Sequence, residues 1–287
     1  MPSYNHGEYI SKSIDSIINQ TYENWELIIV DNNSDDETKS VLKSYEKEKR
    51  IKVFFVNNHG SIGYSRNIGI KKSKSDFIAF IDSDDLWKYN KLEKCIIHLN
   101  THDFIFHDIE VNYLFKAKRK KKSKANNRIE KNALKTLLLY GNPIANSSVI
   151  TKKDLIIKTD WIDESQEINR SVDFHTWLKI ATITNKFKYV NNILGENLIH
   201  ENNLSLKNMM YSTKKATNNF VKYLNEKEIK ILKARLFFID YSYKFHSKNF
   251  NEINFNNIYF SIWYGFLEIK LKSIIILVLT RIRLLIN

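Results

Sequence analysis

Residues 77–85 read FIAFIDSDD, an apolar run that stops at a cluster of polar residues. A short apolar run with such an end is typical of a buried strand followed by a turn. Carboxylates at the carboxyl end of a parallel strand stand where open α/β sheets bind their ligands. Alternate carboxylates on a turn also suit a hard divalent cation, so Asp82 and Asp84 are candidate metal ligands. Plain surface loops are rich in Asp too, and the turn alone leaves that alternative open.

The segments on either side of this run alternate between strand and helix patterns. Strand patterns cover 25–30, 51–57 and 76–81, and helical spacing covers 9–20, 36–49 and 64–73. Strands separated by helices imply crossover connections, which predict a mostly parallel sheet flanked by helices. Further on, the patterns predict strands at 104–111 and 187–190, helices at 133–140 and 171–181, and a helical region beyond about 208.

The composition sets the broad class of protein. The chain has 287 residues, 43% of them hydrophobic, which is enough for a sizeable core. A net charge of +13 favours an anionic partner: nucleic acid, an anionic membrane or a phosphorylated substrate. The single cysteine, Cys95, excludes an intramolecular disulfide and a Cys-based zinc site. No basic and apolar leader follows Met1, so the expected location is the cytoplasm.

Several common ligand-binding motifs fail when tested against the sequence. A calcium loop starting at Asp31 would need Gly at position 6 and Glu at position 12, where the chain has Asp36 and Leu42. A loop starting at Asp82 fails at position 5, which is Leu86. The chain also lacks GxxxxGK[ST] and GxGxxG, which disfavours mononucleotide hydrolases and common dehydrogenases.

The order of the local signals is more specific than any one of them. The chain resembles the family 2 glycosyltransferases of the GT-A fold, densely over residues 1–90 and thinly on to His200. The blocks that carry the resemblance are PSYN at 2–5, NQTY at 19–22, WELIIVDNNS at 25–34, SRNIG at 65–69, FIDSDDLW at 80–87, NSSV at 146–149 and VDFHTWL at 172–178.

The resemblance implies a reaction and an architecture. Such enzymes move a sugar from a nucleotide sugar to an acceptor hydroxyl, with inversion at the anomeric carbon. It implies a GT-A domain over residues 1–205, with a nucleotide-binding part at about 1–100 and an acceptor part at about 101–205. Residues 206–287 form a C-terminal helical region. The expected setting is bacterial O-antigen, capsule or lipooligosaccharide synthesis, with a UDP-hexose or UDP-N-acetylhexosamine donor.

The resemblance also assigns roles in donor binding. Asp31 matches the carboxylate that binds the nucleobase, and Arg66 matches a basic residue near base and diphosphate. Asp84 matches the direct ligand of a divalent cation, with Asp82 nearer the ribose. The matched nucleotide-sugar residues are Pro2, Ser3, Tyr4, Asp31, Arg66, Asp82, Ser83 and Asp84.

Asp173 is the candidate catalytic base, since a carboxylate must take the proton of the acceptor hydroxyl. Val172 and Lys179 replace a Glu and an Arg of the family pattern, and a helix N-terminal carboxylate is the plain structural alternative. Asp163 and Glu164 are the alternative bases.

His200 lies where many GT-A enzymes place a metal-binding histidine. With Asp82 and Asp84 it completes the expected metal set. Because imidazole suits manganese better than magnesium, Mn²⁺ is expected rather than Mg²⁺.

Two segments suggest peripheral association with an anionic membrane. Lys116–Lys124 is a dense basic run, expected to be a mobile loop. The tail after Trp263 contains SIIILVLT at 273–280 between cationic residues, too short to span a bilayer. It is suited either to a membrane interface or to a core helix. A polyprenyl-diphosphate-linked saccharide would then be a fitting acceptor.

One departure from the family and two other functions complete the sequence-based hypotheses. The family has an apolar strand before the PSYN block, and this sequence begins at Met1, so either the sequence starts late or another segment fills that place. A degenerate member that binds nucleotide without catalysis is the second hypothesis. Nucleic-acid binding through Lys116–Lys124 is disfavoured, because no recognised nucleic-acid motif accompanies that run.

Overall fold

A computed structural model describes residues 1–114, 120–123, 128–201, 203 and 206–286. The strands are β1 Pro2–Ser3, β2 Leu27–Asp31, β3 Ile51–Phe55, β4 Phe77–Ala79, β5 Asp85–Trp87, β6 Phe104–Tyr113, β7 Lys120–Ser123, β8 Ile150–Lys152 and β9 Phe187–Ile199. The helices are α1 Gly7–Ile18, α2 Thr38–Ser44, α3 Ile62–Lys72, α4 Lys91–Ile96, α5 Arg128–Lys131, α6 Ala133–Tyr140, α7 Lys153–Lys158, α8 Val172–Ala181, α9 Met210–Asn218, α10 Glu226–His246, α11 Phe255–Tyr264 and α12 Leu267–Ile286.

Two sheets carry the site. The first has the order β1-β2-β3 and is parallel throughout. The second has the order β4-β8-β6-β9-β5, with β7 added to β6, and its β6–β9 pair is parallel while the others are antiparallel. The α/β class predicted from the sequence is confirmed. Of the strand predicted at 76–81, residues 77–79 form β4. β4 pairs antiparallel with β8, a long-range partner that no local pattern reveals.

A gap separates the two sheets beside β2. β1 is only two residues long, and a cavity of about 660 Å³ lies beyond it, between Leu27–Ile28 on one side and the segment 77–81 on the other. The amino group of Met1 is buried there and donates to the carbonyl of Ile28 at 2.9 Å. Burial lowers the pKa of this amine to about 5. Among the described residues, no other segment fills the place of a longer first strand.

Gly69 on α3 faces this region, and it offers a test of the packing. A Cβ at Gly69 would lie 3.7 Å from Val30 and 4.0 Å from Ile28, which is ordinary van der Waals contact. Since Ala is favoured over Gly inside a helix, Gly69→Ala is expected to raise the free energy of unfolding by about 0.5–1 kcal/mol. Urea denaturation followed by circular dichroism measures the change.

Gly63, on the same helix, is the matched control. A Cβ there would lie 2.1 Å from the backbone oxygen of Asp163, so the neighbouring loop must move. Gly63→Ala is therefore expected to cost about 1–3 kcal/mol. A loss of stability for Gly69→Ala comparable to that of Gly63→Ala would contradict the packing described here.

The C-terminal helices take part in two separate hydrophobic clusters. Ala216 of α9, Phe220 of the connection after it and Leu236 of α10 are buried in the same cluster as residues of α6 and α8. Tyr241 and Ile276 belong to a second cluster, built from the end of α10, α11 and α12. The first part of the helical region is thus packed into the main core, while the last two helices pack mainly on α10.

The two cationic segments of the sequence form different kinds of secondary structure. Of the basic run Lys116–Lys124, the described residues 120–123 form β7, which pairs with β6, so the expectation of a loop was wrong for those four residues. The rest of the run lies outside the described residues. The tail after Trp263 forms α12. Within the described chain, no helix is both long and apolar enough to cross a membrane.

Candidate active site

The turn between β4 and β5 places Asp82 against two polar side chains from distant segments. Arg66 Nη2, on α3, donates to Asp82 Oδ1 at 2.9 Å. Asn146 Nδ2 donates to the same oxygen, also at 2.9 Å. The Arg66 side chain is only 7% exposed, whereas that of Asp82 is 33% exposed. Asp82 therefore connects a buried cation to the surface of the site.

Asp84, two residues along the turn, faces a different set of partners. Its Oδ2 lies 3.1 Å from His200 Nε2, and both side chains are 11% exposed. One ligand atom each from His6, Asp84 and His200 lie within 4.8 Å of one another. The Tyr9 ring stacks on His200 with 5.0 Å between ring centroids, which fixes the imidazole.

This group fits a divalent cation by the chemistry of its donors. Two imidazoles and one carboxylate form a mixed nitrogen and oxygen set, which suits a first-row transition metal better than the all-oxygen preference of Mg²⁺. Asp84 and His200 are brought together as the sequence predicts. Asp82 lies outside the group, and His6 occupies the third position. His6 Nδ1 also lies 2.7 Å from Ser83 Oγ, so Ser83 orients this imidazole.

The segments expected around the nucleoside lie at the end of the parallel sheet. Pro2 and Ser3 pair with Val30 and Asp31, which places the PSYN block beside Asp31. Asp31 is fully buried, and its two carboxylate oxygens accept from the amide and the hydroxyl of Ser34, at 2.9 and 2.6 Å.

Tyr4, the next residue of that block, is 53% exposed, so its ring is free for contact with a ligand.

Asp173 is the second residue of α8, and it is half-buried. Its Oδ1 accepts from the Phe174 amide at 2.7 Å, and its Oδ2 accepts from Asn142 Nδ2 at 3.3 Å. Burial raises the pKa of this carboxyl, and the nearby Arg66 guanidinium opposes the rise. The charge of Asp82 acts on the same pKa, so Asp173 lies close to the donor end of the site. A carboxylate with a raised pKa is suited to accept a proton.

The alternative bases are placed less favourably. Burial acts to raise the pKa of Asp163, but hydrogen bonds to Ser165 and the nearby His175 imidazole leave it below the ordinary value. A lower pKa makes Asp163 a weaker base than Asp173. Glu164 accepts from Asn67 Nδ2 at 2.8 Å, so its carboxylate is bound to a side chain of α3.

One loop links the two candidate carboxylates, and its NSSV block at 146–149 carries part of the family resemblance without an assigned role. α6 ends at Gly141, whose φ of 97° lies in the left-handed region that favours glycine. The loop that follows supplies Asn142 to Asp173 and Asn146 to Asp82. Ser147 Oγ accepts from the Asp82 amide and donates to Asp85. The loop thus holds both carboxylates through neutral donors.

Further residues of the site were not predicted. His6 directly follows the PSYN block, and this position is a sequence signal for a metal-binding side chain. Asn203 binds the backbone amide of His200 at 2.6 Å and approaches Asp84. Asn142 carries no local signal. Asn146 stands in the NSSV block but was given no role, because an amide acquires its role only through distant partners.

The α/β fold that positions this site is shared with solved structures. The fold is similar to that of S. aureus TarS 1-349 in complex with UDP-GlcNAc, with a TM-score of 0.65 and 19% identity over 91% of this chain and 77% of that one. It is also similar to the mannosyltransferase PcManGT from Pyrobaculum calidifontis in complex with GDP-Man and Mn²⁺. For PcManGT the TM-score is 0.61, with 15% identity over 82% of this chain and 67% of that chain.

Sequence comparison identifies the family. Residues 1–151 match the family described as Glycosyl transferase family 2. The chain is 30% identical over 249 residues to an uncharacterised glycosyltransferase of Haemophilus influenzae, covering 78% of this chain and 96% of the relative. The chain therefore belongs to glycosyl transferase family 2.

Other relatives match over shorter segments. The chain is 39% identical over 113 residues to the Escherichia coli UDP-Glc:alpha-D-GlcNAc-diphosphoundecaprenol beta-1,3-glucosyltransferase WfgD, covering 39% of this chain and 44% of that enzyme. It spans 37% of the length of the putative teichuronic acid biosynthesis glycosyltransferase TuaG of Bacillus subtilis, at 40% identity over 94 residues and 32% of this chain. It spans 15% of an uncharacterised glycosyltransferase of Rickettsia bellii, at 42% identity over 106 residues and 37% of this chain.

Proposed function

We propose that this chain transfers a sugar from a UDP-hexose or UDP-N-acetylhexosamine to a hydroxyl of a saccharide acceptor, with inversion. The observation that carries the proposal is a convergence of charges. Arg66 with Asp82, the group of His6, Asp84 and His200, and the half-buried Asp173 come from separate segments and meet at one end of the sheets. The TarS structure contains UDP-GlcNAc, and the name of WfgD gives UDP-Glc as its donor. Both support UDP as the nucleotide.

The residues divide the reaction between them. Asp173 accepts the proton of the acceptor hydroxyl while the oxygen of that hydroxyl forms a bond to the anomeric carbon. The bond from that carbon to the phosphate oxygen breaks, and the nucleoside diphosphate leaves with both electrons. Arg66 supplies positive charge to the leaving diphosphate, which stabilises the transition state. Asp31, Pro2, Ser3 and Tyr4 form the side of the site assigned to the nucleoside.

His6, Asp84 and His200 would hold the divalent cation in this proposal, with Mn²⁺ favoured over Mg²⁺. When bound, the cation neutralises charge on the leaving diphosphate. Arg66 and Asn146 bind only Oδ1 of Asp82, and its side chain is 33% exposed, so this carboxylate can still contact the donor sugar or ribose. The cation group draws His6 and Asp84 from the nucleotide-binding part, about 1–100, and His200 from the acceptor part, about 101–205. The two parts together form the site, and residues 206–287 support it as a helical region.

The acceptor and the setting complete the proposal. We infer a lipid-linked saccharide acceptor, as in bacterial surface-polysaccharide assembly, because the named acceptor of WfgD is a diphosphoundecaprenol-linked sugar. The enzyme would then work at the cytoplasmic face of the membrane as a peripheral protein. The positive net charge of +13 favours such a surface, which is anionic.

The decisive test measures UDP release from a panel of UDP-sugars with a GlcNAc-diphospho-lipid or GalNAc-diphospho-lipid acceptor. We expect turnover with one donor in Mn²⁺, less in Mg²⁺ and none in EDTA, because the leaving diphosphate needs the cation. Restoring Mn²⁺ after EDTA is the control for irreversible damage.

Two results would contradict the proposal in different ways. Metal-dependent UDP binding without turnover on every acceptor would support a nucleotide-binding protein without catalysis. Absence of UDP binding in any metal would overturn the assignment of the nucleotide pocket.

A further inference from the structure

The outward side of α12 is a largely apolar surface. Leu267 is 71% exposed, Leu271 53% and Ile275 57%, although all three are large hydrophobic residues. We call this set the outer face of α12, and its members are Leu267, Leu271, Ile274, Ile275, Val278, Leu279 and Ile282. At 100° per residue they occupy an arc of about 140°, and at 1.5 Å per residue they extend over about 22 Å. Isolated apolar residues are ordinary on a surface, but a stripe of this length is not.

The opposite side of the same helix fixes its orientation. Ser273 and Thr280 are fully buried, and Ile276 is 6% exposed. Ser273 is hydrogen-bonded to the hydroxyl of Tyr241 on α10, and Ile276 packs in the cluster around that tyrosine. The helix is therefore held against α10 by one side, and the outer face is presented to the surroundings.

Cationic side chains border the outer face on both edges. Lys270 and Arg281 lie near one edge of the stripe, and Lys272 and Arg283 near the other, by the same helical geometry. Arg281 also donates to the Tyr259 hydroxyl, and Arg283 lies over the Phe250 ring. Glu268, the acidic residue of this helix, falls within the arc at its first turn, where it is paired with Lys272. Trp263, at the end of α11, is 75% exposed next to the start of the stripe, and tryptophan is enriched at membrane interfaces.

We propose that the outer face of α12, together with Trp263, lies in the headgroup region of an anionic membrane, with the helix parallel to the membrane plane. An apolar stripe between two rows of cations matches the layering of that region, since acyl chains contact the stripe and lipid phosphates contact the edges. A second copy of the chain fits less well, because a two-fold contact would bring the same cationic edges together. The proposal extends the proposed function by placing the enzyme beside a lipid-linked acceptor, but it concerns a surface away from the site.

Vesicle flotation with the full chain tests this surface directly. Vesicles of phosphatidylcholine with about 30% phosphatidylglycerol are expected to carry the protein, and pure phosphatidylcholine vesicles to carry at least 10-fold less. The double variant Ile275→Glu and Val278→Glu is expected to lose at least 10-fold in partition coefficient, since it places two charges in the stripe.

A matched control uses an apolar residue equally open to solvent elsewhere. Ile97 is 66% exposed after α4, so Ile97→Glu is expected to leave flotation unchanged. Thermal melts and UDP binding of each variant check that the fold and the site are intact. Vesicle binding that survives in a protein without turnover would support this inference while contradicting the proposed function, so the two fail separately.

Three flotation results would overturn the inference: no binding to anionic vesicles, equal loss in the Ile97→Glu control, or equal binding to both vesicle types. Sedimentation velocity supplies a fourth. A dimer that separates in the double variant, with no vesicle binding by the wild type, would assign the outer face to a contact between copies of the chain.

Discussion

Asp173→Asn is expected to lower kcat by about 10³-fold and to leave the affinity for UDP within about 2-fold, because a general base contributes 10²–10⁴ to the rate and acts on the acceptor. Asparagine keeps the shape of the side chain but cannot accept the proton. The measurement is UDP release under saturating donor and acceptor, with UDP affinity from calorimetry. Asp163→Asn is the matched control, and it is expected to change kcat by less than about 3-fold, since that carboxyl faces His175 rather than the donor end.

The pH profile gives an independent check on the same residue. Only the ionised carboxylate accepts a proton, so kcat falls as the pH drops through the pKa of Asp173. Because burial raises this pKa, the acid limb of the kcat profile is expected above about pH 3.9, the ordinary pKa of Asp. This limb is expected to disappear in Asp173→Asn.

The same raised pKa fixes the sign of the stability change. A carboxyl with a higher pKa in the folded state favours folding while protonated, and that contribution is lost as the pH rises through the folded pKa. At neutral pH the ionised Asp173 therefore costs stability, and Asp173→Asn is expected to melt at the same or a higher temperature. A variant that loses activity together with a fall in melting temperature would point to a structural role. A large loss of kcat in Asp163→Asn, with normal activity in Asp173→Asn, would show that Asp163 is the base instead.

Asp84→Asn is expected to weaken Mn²⁺ binding and metal-dependent UDP turnover by at least about 100-fold. Asp84 supplies the one carboxylate of the group that includes His6 and His200, and an amide oxygen carries no charge to offset the cation. Titration of Mn²⁺ by electron paramagnetic resonance measures the free ion in the presence and absence of UDP.

Two further variants sharpen this result. Asp82→Asn is expected to impair turnover but to retain most of the Mn²⁺ affinity, because Asp82 is held by Arg66 and Asn146 outside the group. His6→Ala is expected to lower Mn²⁺ affinity about 10- to 100-fold. A loss of Mn²⁺ binding in Asp82→Asn, with normal binding in Asp84→Asn and His6→Ala, would contradict the site as described.

Much of the local structure followed from the sequence because it depends on neighbours. The apolar spacing at 133–140 predicted α6 to the residue, and the strand after Glu26 and the helix before Thr182 were also confirmed. The helix predicted at 36–49 was too long, since α2 ends at Ser44. The strand predicted at 187–190 was too short: β9 runs to Ile199 because β6 and β5 pair along its length.

The arrangement of the sheets and the shape of the site depended on distant partners. The pairing of β4 with β8 joins residues more than 70 positions apart, and no periodic pattern encodes that choice. For the same reason Asn142 and Asn146 were not predicted as supports of Asp173 and Asp82. The family resemblance supplied Asp82, Asp84 and His200 as the metal set. The structure places Asp84 and His200 together at 3.1 Å, and Asp82 is instead bound by Arg66.

The buried amino group of Met1 has a practical consequence for anyone handling the protein. Any group joined to the Met1 nitrogen has to be accommodated in the cavity that Met1 lines beside Ile28. The charges of Asp82 and Arg66 act on this amine, so a change at Met1 also changes the electrostatics of these two site residues. The surface around Lys158 and Asp154 on α7, where both side chains are more than half exposed, is an alternative position for a reporter.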